Sequence, residues 1–316
     1  MIQPVSNTVD PRDEGRHSPG TEELWNESYY ADFVSEDGEL AGYLRLGLYP
    51  NLGVSWWTVM IVRAGQPLVA WIDYVLPVPV DGDPRLRARG VEIVFDTTKP
   101  LEALAVQASG MGELHSRPEA IYQGWTGQPI DLSIDLAWRT DGSPYHYMLT
   151  TRYEVPCMVA GRLRIGEQEI TVAGSGQRDH SWGVRDWWSL GWCWASARLD
   201  DGTRIHATDV RFPNRPALGY VQSAGRVEPV STLSISEELG EHGFPRSARI
   251  KLEPGGFDLA VYPLAFGPLL LQAPDGRVSR FPRVHGHEEV PGCGHQKYPP
   301  LGADVQVLAS VDRPPF

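Results

Sequence analysis

The chain has 316 residues, of which 41% are hydrophobic, and a formal net charge of -12. That length is long for one hydrophobic core and suits two. The acidic balance, with no Lys/Arg-rich run, argues against a nucleic-acid partner, and no apolar run approaches the ~20 residues of a membrane span.

Met1 to about Gly20 is polar, contains Pro and Gly, and has no apolar segment that could act as a secretory signal, so it reads as a disordered leader on a cytoplasmic protein. Cys157, Cys193 and Cys293 are odd in number and widely spaced, which suits reduced thiols and not a disulfide framework. Between Thr21 and Glu36, Trp25, Tyr29 and Phe33 fall at helical spacing, while Tyr29-Tyr30 beside Phe33-Val34 could equally pair as a strand. Leu44, Leu46 and Leu48 then alternate with Tyr43, Arg45 and Tyr49, the period of a half-buried strand. Trp56 to Arg63 and Leu68 to Leu76 follow as strands joined by Ala64-Gly65-Gln66-Pro67. Val91 to Asp96, Leu101 to Ala108, and the alternation Leu132, Ile134, Leu136, Trp138 continue the pattern. Tyr145 to Val155, Gly161 to Ile165 and Gln168 to Ala173 are also strand-like. With no long amphipathic pattern, the first half reads as an antiparallel β-domain.

The stretch from Gly176 to Trp188 packs two acids, two bases, a histidine and three tryptophans into thirteen residues. Charged groups are seldom buried unless paired, and Trp favours sites where its N–H finds a partner, so the mixture suggests a polar constellation in an aromatic box. The plainer reading is a strand-to-loop corner with Asp179 as a cap, His180 as a satisfied core histidine and the tryptophans as packing. Beyond it, Gly191 to Asp200 and Thr203 to Phe212 form a hairpin around Asp201-Gly202. A type I′ turn there pairs Trp194 with Asp209, Ser196 with Ala207 and Arg198 with Ile205, and turns His206 to the opposite face. Arg249 to Leu252, Phe257 to Phe266, Leu269 to Gln272, Val278 to Phe281 and Ala303 to Val311 complete the strand-like runs. His285-Gly-His287 with Cys293-Gly-His295 matches no structural zinc spacing, and no metal site is assigned.

The Gly-x-x-Asp-His-Ser-Trp-Gly core at Gly176 to Gly183, followed by Asp186-Trp187, resembles the lipocalin-like proteins related to carotenoid 1,2-hydratase, a group that includes tocopherol-cyclase-like proteins and lipocalin-like Diels–Alderases. Trp25-Asn-Glu-Ser-Tyr-Tyr and Gly47-Leu-Tyr-Pro-Asn-Leu-Gly53 fit an uncharacterised bacterial branch of that group. The resemblance implies an all-β protein with few short helices, built as two tandem lipocalin-like antiparallel β-domains, 21–185 and 186–316, and a pocket for an isoprenoid-like or polycyclic substrate. It maps the family's functional histidine to His180, its tryptophan to Trp182 and its aspartate to Asp209. Ala207 stands where the family has a tyrosine, which counts against carotenoid hydration itself.

Hydrating, isomerising or cyclising an alkene without a cofactor needs a proton donor and a means of stabilising the cation. An aspartic acid among tryptophans can stay protonated because burial disfavours its charged form. Asp209 and Asp179 are the candidate acids, and His180 can orient an acid or activate water. Trp182, Trp187, Trp188 and Trp194, with Arg185, would line the substrate, the ring faces each stabilising a cation by ~0.5–2 kcal/mol. Should Arg178 or Arg185 pair with Asp179, Asp209 becomes the better donor. The expected function is therefore a lyase, isomerase or cyclase acting on a hydrophobic small molecule without cofactor. A lipocalin-type carrier of such a molecule is the alternative.

Overall fold

The computed structural model describes residues 8–79, 84–148, 150–189, 191–211, 217–273, 275–289 and 304–309, with 287–289 and 304–309 as backbone. The first sheet contains β1 (Trp25–Ser35), β2 (Leu40–Tyr49), β3 (Val54–Arg63), β4 (Leu68–Leu76), β5 (Arg85–Ala88) and β6 (Val91–Lys99). It continues through β7 (Ala103–His115), β8 (Gln128–Thr140), β9 (Tyr145–His146), β10 (Arg152–Ile165) and β11 (Gln168–Val184). The second sheet starts with β12 (Trp192–Arg198), β13 (Arg204–Val210), β14 (Leu218–Ser223), β15 (Arg226–Pro229) and β16 (Thr232–Leu239). After β17 (Pro245–Glu253) and β18 (Phe257–Phe266), a separate hairpin of β19 (Leu269–Gln272) and β20 (Val278–Phe281) precedes β21 (Val284–Glu289) and β22 (Asp304–Ala309). All described strand pairs are antiparallel, and the described helical residues lie in short 3-10 turns such as Pro11–Glu14. The all-β expectation is met, and the ambiguous segment at Trp25 is strand. No described helix is long and apolar enough to cross a membrane.

The first sheet runs β4-β3-β2-β1-β11-β10-β8-β7, and the far half of β7 pairs back onto β4 through Leu68↔His115 and Ala70↔Glu113, closing a barrel of eight strands. Closure removes the open edges that would otherwise template aggregation. The interior is filled by Phe33, Leu46, Trp57, Phe95, Val106, Leu136 and Trp138, each no more than 1% exposed. Residues alternate across β1, so Glu27, Tyr29, Ala31 and Phe33 enter the barrel while Asn26, Ser28, Tyr30 and Asp32 face outward. β1 and β11 approach so closely that a Cβ on Gly176 would lie 2.0 Å from the Asp32 carbonyl oxygen, so only glycine fits there. That carbonyl turns inward and accepts a 2.6 Å bond from Trp138 Nε1.

The second sheet packs on the outer face of the barrel wall. Trp192 and Trp194 of β12 join Tyr30, Val34, Tyr43, Met60 and Val62 in one apolar cluster. The seam is also hydrogen-bonded: Tyr220 Oη donates to Gln177 Oε1 at 2.9 Å, Arg283 Nη1 to Tyr30 Oη at 2.6 Å, and His285 Nε2 to the Gly38 carbonyl at 2.6 Å.

Two expectations are corrected. Residues 8–20 do not form a disordered leader: Val9 joins the barrel core, and the buried Glu14 pairs with Arg178 Nη1 at 2.8 Å. The β12–β13 register is also one residue off the expected one, with Cys193 opposite Asp209, Trp194 opposite Thr208 and Ser196 opposite His206. Leu199 and Thr203 still bond, so the loop is Asp200-Asp201-Gly202 with Gly202 left-handed at φ 84. Such a three-residue loop carries a glycine bulge in place of a type I′ turn, and the extra residue shifts every partner.

Candidate functional site

The motif begins in the second half of β11, and the two-residue period of that strand sends its side chains to opposite faces. His180 and Trp182 point into the barrel, whereas Gln177 and Asp179 point into the seam. The single constellation expected from the sequence is therefore two.

Inside the barrel, near the end covered by residues 8–20, His180 is 2% exposed and boxed by rings. Tyr29 stacks on it at 4.3 Å between centroids, and Trp182 and Tyr153 meet it edge-on at 5.5 and 5.8 Å. Its Nε2 lies 3.2 Å from Glu27 Oε1 and its Nδ1 lies 3.4 Å from the Tyr153 hydroxyl. A carboxylate can only accept, so Glu27 selects the Nε2–H tautomer and leaves Nδ1 as acceptor toward Tyr153. The same Oε1 accepts the His17 backbone N–H and His17 Nδ1, both at 2.8 Å, and the His17 ring stacks on Trp182 at 3.7 Å. Burial works to raise the Glu27 pKa, but the hydrogen bonds from His17 and His180 outweigh it and the net shift is downward, so this carboxylate is ionised. Burial drives the Tyr153 pKa well up, so its hydroxyl keeps its proton.

His17, Glu27 and His180 also offer donor atoms within 4.8 Å of one another, a set of two imidazoles and a carboxylate that suits a transition metal. Each donor already has a partner in this network, which accounts for the grouping by hydrogen bonds alone. Of the C-terminal histidine–cysteine group, His285 bonds to Gly38, while the His287 side chain, Cys293 and His295 lie outside the description.

On the seam face, Asp179 pairs with Arg152 Nη2 at 2.8 Å, not with Arg178 or Arg185. Burial raises its pKa to about 6 against the pull of Arg152. Glu154, fully buried, accepts from Arg152 Nε at 2.7 Å, Gln177 Nε2 at 2.6 Å and Trp194 Nε1 at 3.2 Å. His206 lies here as well. Its Nδ1 donates to the Ala195 carbonyl at 3.1 Å and its Nε2 meets the Tyr147 hydroxyl. Burial, with Arg152 nearby, pushes its pKa well down, so it is neutral. A further buried acid, Asp32, accepts from Tyr30 Oη and from the Gln177 backbone N–H, both at 2.7 Å, and burial lifts its pKa to about 7. It borders a cavity of 20 Å³ between Gln177, Ser196 and Arg204, room for one water. A groove of 320 Å³ along Leu233, Lys251 and Phe257 lies away from both clusters.

The other expected residues disperse. Asp209 does not share an interior with Trp194 and Trp182; the shifted register turns it to the face of Cys193, Ala195 and Ala207, in the second sheet's own core. Arg211, two residues on, pairs with Glu237 while staying partly exposed, so it is not the free solvent-facing cation that the donor role of Asp209 required. His206, which the expected register pointed away, stands beside Trp194 at 5.2 Å. Trp187 and Trp188 leave the end of β11 and pack on the small hairpin: Trp187 meets Phe281 at 5.8 Å, and Trp188 Nε1 donates to the Leu271 carbonyl at 3.3 Å. Glu27, Tyr29, Tyr153 and His17 were not singled out from the sequence. The signal for two of them is the alternation Trp25, Glu27, Tyr29, Ala31, Phe33, which places an acid on the buried face of a strand.

An all-β chain built as a closed barrel with a second sheet packed on its wall has a lipocalin-like fold. The chain belongs to the family described as a domain of unknown function, DUF7064, whose profile matches residues 10–294. Among solved structures it is similar to one assigned as AttH from Nitrosomonas europaea, at 15% identity and TM-score 0.63 with 98% of each chain covered. It is similar also to kievitone hydratase from Nectria haematococca, at 10% identity and TM-score 0.61, covering 96% of this chain and 93% of that one. CghA, solved also with Sch210972, matches at 10% identity and TM-score 0.53 over 98% and 96% of the two chains. No curated protein matches the sequence.

Proposed function

We propose that this protein is an acid–base enzyme of the hydratase, isomerase or cyclase kind, acting without a cofactor on a compact hydrophobic substrate, terpenoid-, steroid- or polyketide-like. The observation that carries the reading is the buried imidazole of His180, tautomer-selected by Glu27 and walled by Tyr29, Tyr153 and Trp182. A hydratase among proteins of the same fold supports the class. In this reading His180 takes and returns the proton, the Glu27 carboxylate stabilises the imidazolium, and the ring faces stabilise positive charge on the substrate. Trp57, Phe95 and Trp138 fill the barrel beneath, which favours a compact substrate over a long polyene. Asp209 leaves the set, since it shares its face with Cys193.

We read the two sheets as two lipocalin-like domains, 21–185 and 186–316, in a cytoplasmic protein whose Cys157 and Cys193 are free and buried. The test is turnover across a panel of apolar alkenes and polycyclic precursors. His180→Ala and Glu27→Gln should each lower kcat/KM by ~10²–10⁴ while ligand still binds. Binding without turnover in the unmodified protein across the whole panel would transfer the assignment to a carrier.

A further inference from the structure

On the seam side of the barrel wall, where β1, β2, β10 and β11 run side by side, one patch is short of negative charge and long on unused donors. The register sets its floor: Gly47, Ser28, Ser181 and Arg152 lie in one row across the four strands, three of them small. Around that floor stand Arg45, Arg185 and Asn26. Arg45 follows from its place two residues before Gly47 on β2; its guanidinium lies flat over Gly47, where a Cβ would come within 2.5 Å of Nη1. Asn26 pairs with Gly183 and so shares the face, as does Arg185, whose backbone N–H donates to the Leu24 carbonyl at 3.1 Å.

The donors here are not all used. Nη2 of Arg45, Nη2 of Arg185 and Nδ2 of Asn26 are shielded from solvent with no hydrogen-bond partner, as is the acceptor Oδ1 of Asn26. Asn26 is 0% exposed. Buried donors without acceptors are rare because each forfeits its hydration, so several converging on one patch call for an acceptor. The charges agree. Arg152, Arg185 and Arg45 all act on Asp179, with Glu154 beside it, three cations against two carboxylates, and both carboxylates are already engaged by Arg152. The imbalance is felt at Arg185, whose pKa falls to about 10 through burial and the nearby Arg152 and Arg45. Over the patch the walls are aromatic: Arg45 lies 5.0 Å from the Trp187 ring, Trp187 Nε1 donates to Tyr49 Oη at 2.9 Å, and Tyr49 meets Trp56 at 4.2 Å.

We propose that this patch is a binding site for a carboxylate carried on an aromatic or apolar body, with Arg45, Arg185 and Asn26 as its donors. Guanidinium groups match a planar carboxylate in two-bonded geometry. One negative charge balances the patch, and the ring walls suit the rest of the molecule. The site lies on the opposite face of β11 from His180, so it stands or falls separately from the acid–base reading.

The experiment is calorimetric and thermal titration of the full chain with benzoate, its neutral isostere benzamide, and inorganic phosphate. Benzoate should bind saturably and raise Tm with concentration, benzamide should bind at least about tenfold more weakly, and phosphate should not compete. Arg185→Met should weaken benzoate by about tenfold or more, and without ligand it should be as stable as the parent or more so, because a half-buried cation with no carboxylate of its own has been removed. Asn26→Leu provides the uncharged counterpart, with the same weakening and no loss of stability. Equal binding of benzoate and benzamide would overturn the proposal, as would phosphate binding as tightly as benzoate. So would loss of folding in both ligand-free variants, since that would make these groups structural.

Discussion

Asp32 shows how much of this protein is decided by where one side chain points. Its carboxyl keeps a proton up to about pH 7 in the folded chain, mainly through burial, whereas the unfolded group loses it near 3.8. A folded pKa above the unfolded one means that folding takes up a proton between those values, so the stability Asp32 allows falls as pH rises from about 4 to about 7. Asp32→Asn should therefore gain stability over the parent across that window, by on the order of 2–4 kcal/mol at pH 8 and by nearly nothing at pH 4. Urea titrations of the pair at several pH values check this, and the difference between the two proteins cancels the opposite drift of His206, which must be protonated on unfolding in acid. A gain independent of pH would assign the effect to packing. Nothing in the sequence marks Asp32 off from its neighbours; its role comes from Tyr30, Gln177 and the second sheet closing over it. His180 and Trp182 were legible because the motif crowds them together. Their partners Glu27 and Tyr153 were not, since each is one polar residue on a strand distant in sequence, brought near only by the pairing of β1 and β10 with β11.

At the level of elements, the strands were readable, and so was the connection at 64–67, but the length of one turn was not. The alternation over Leu132–Trp138 gave β8 its buried face correctly, all four residues being at most 1% exposed. The β12–β13 hairpin was recognised too, yet a turn one residue longer than expected exchanged its faces and with them the apparent roles of Asp209 and His206. Gly202 sits at φ 84 with open space where a Cβ would go, so Gly202→Ala tests backbone strain alone. It should cost about 1 kcal/mol in chemical denaturation, and Gly202→Asn less, since Asn tolerates the left-handed region. Residues 8–20 carry a second lesson. Their composition suits disorder, but Glu14 is held against Arg178 inside the barrel, a contact no local pattern encodes. Glu14→Gln leaves that cation buried and unpaired, so it should destabilise the protein by about 3–5 kcal/mol. Proteolysis within the segment should become faster at the same time. A change below 1 kcal/mol would mean that the segment is not part of the folded unit.

For the molecule as a whole, the seam joins the two sheets by apolar packing of Trp192 and Trp194 and by a polar network through Glu154, Gln177, Tyr220 and Arg283. The barrel core and the core of the second sheet are separate clusters, and nothing in composition or length indicated that the wall between them would carry polar clusters on both faces. That wall is β11, flanked by β1 and β10 and covered on one side by the barrel core and on the other by the second sheet. Its amide protons therefore meet solvent only when the whole assembly opens. In a hydrogen–deuterium exchange experiment the amides from Gln177 to Trp182 should be among the slowest of the chain and share one opening free energy, equal to that of global unfolding. β5, a short strand at the end of the ladder, should exchange early. The protection of six consecutive amides thus gives a direct measure of total stability, and any ligand held on either face of this strand should slow all six together.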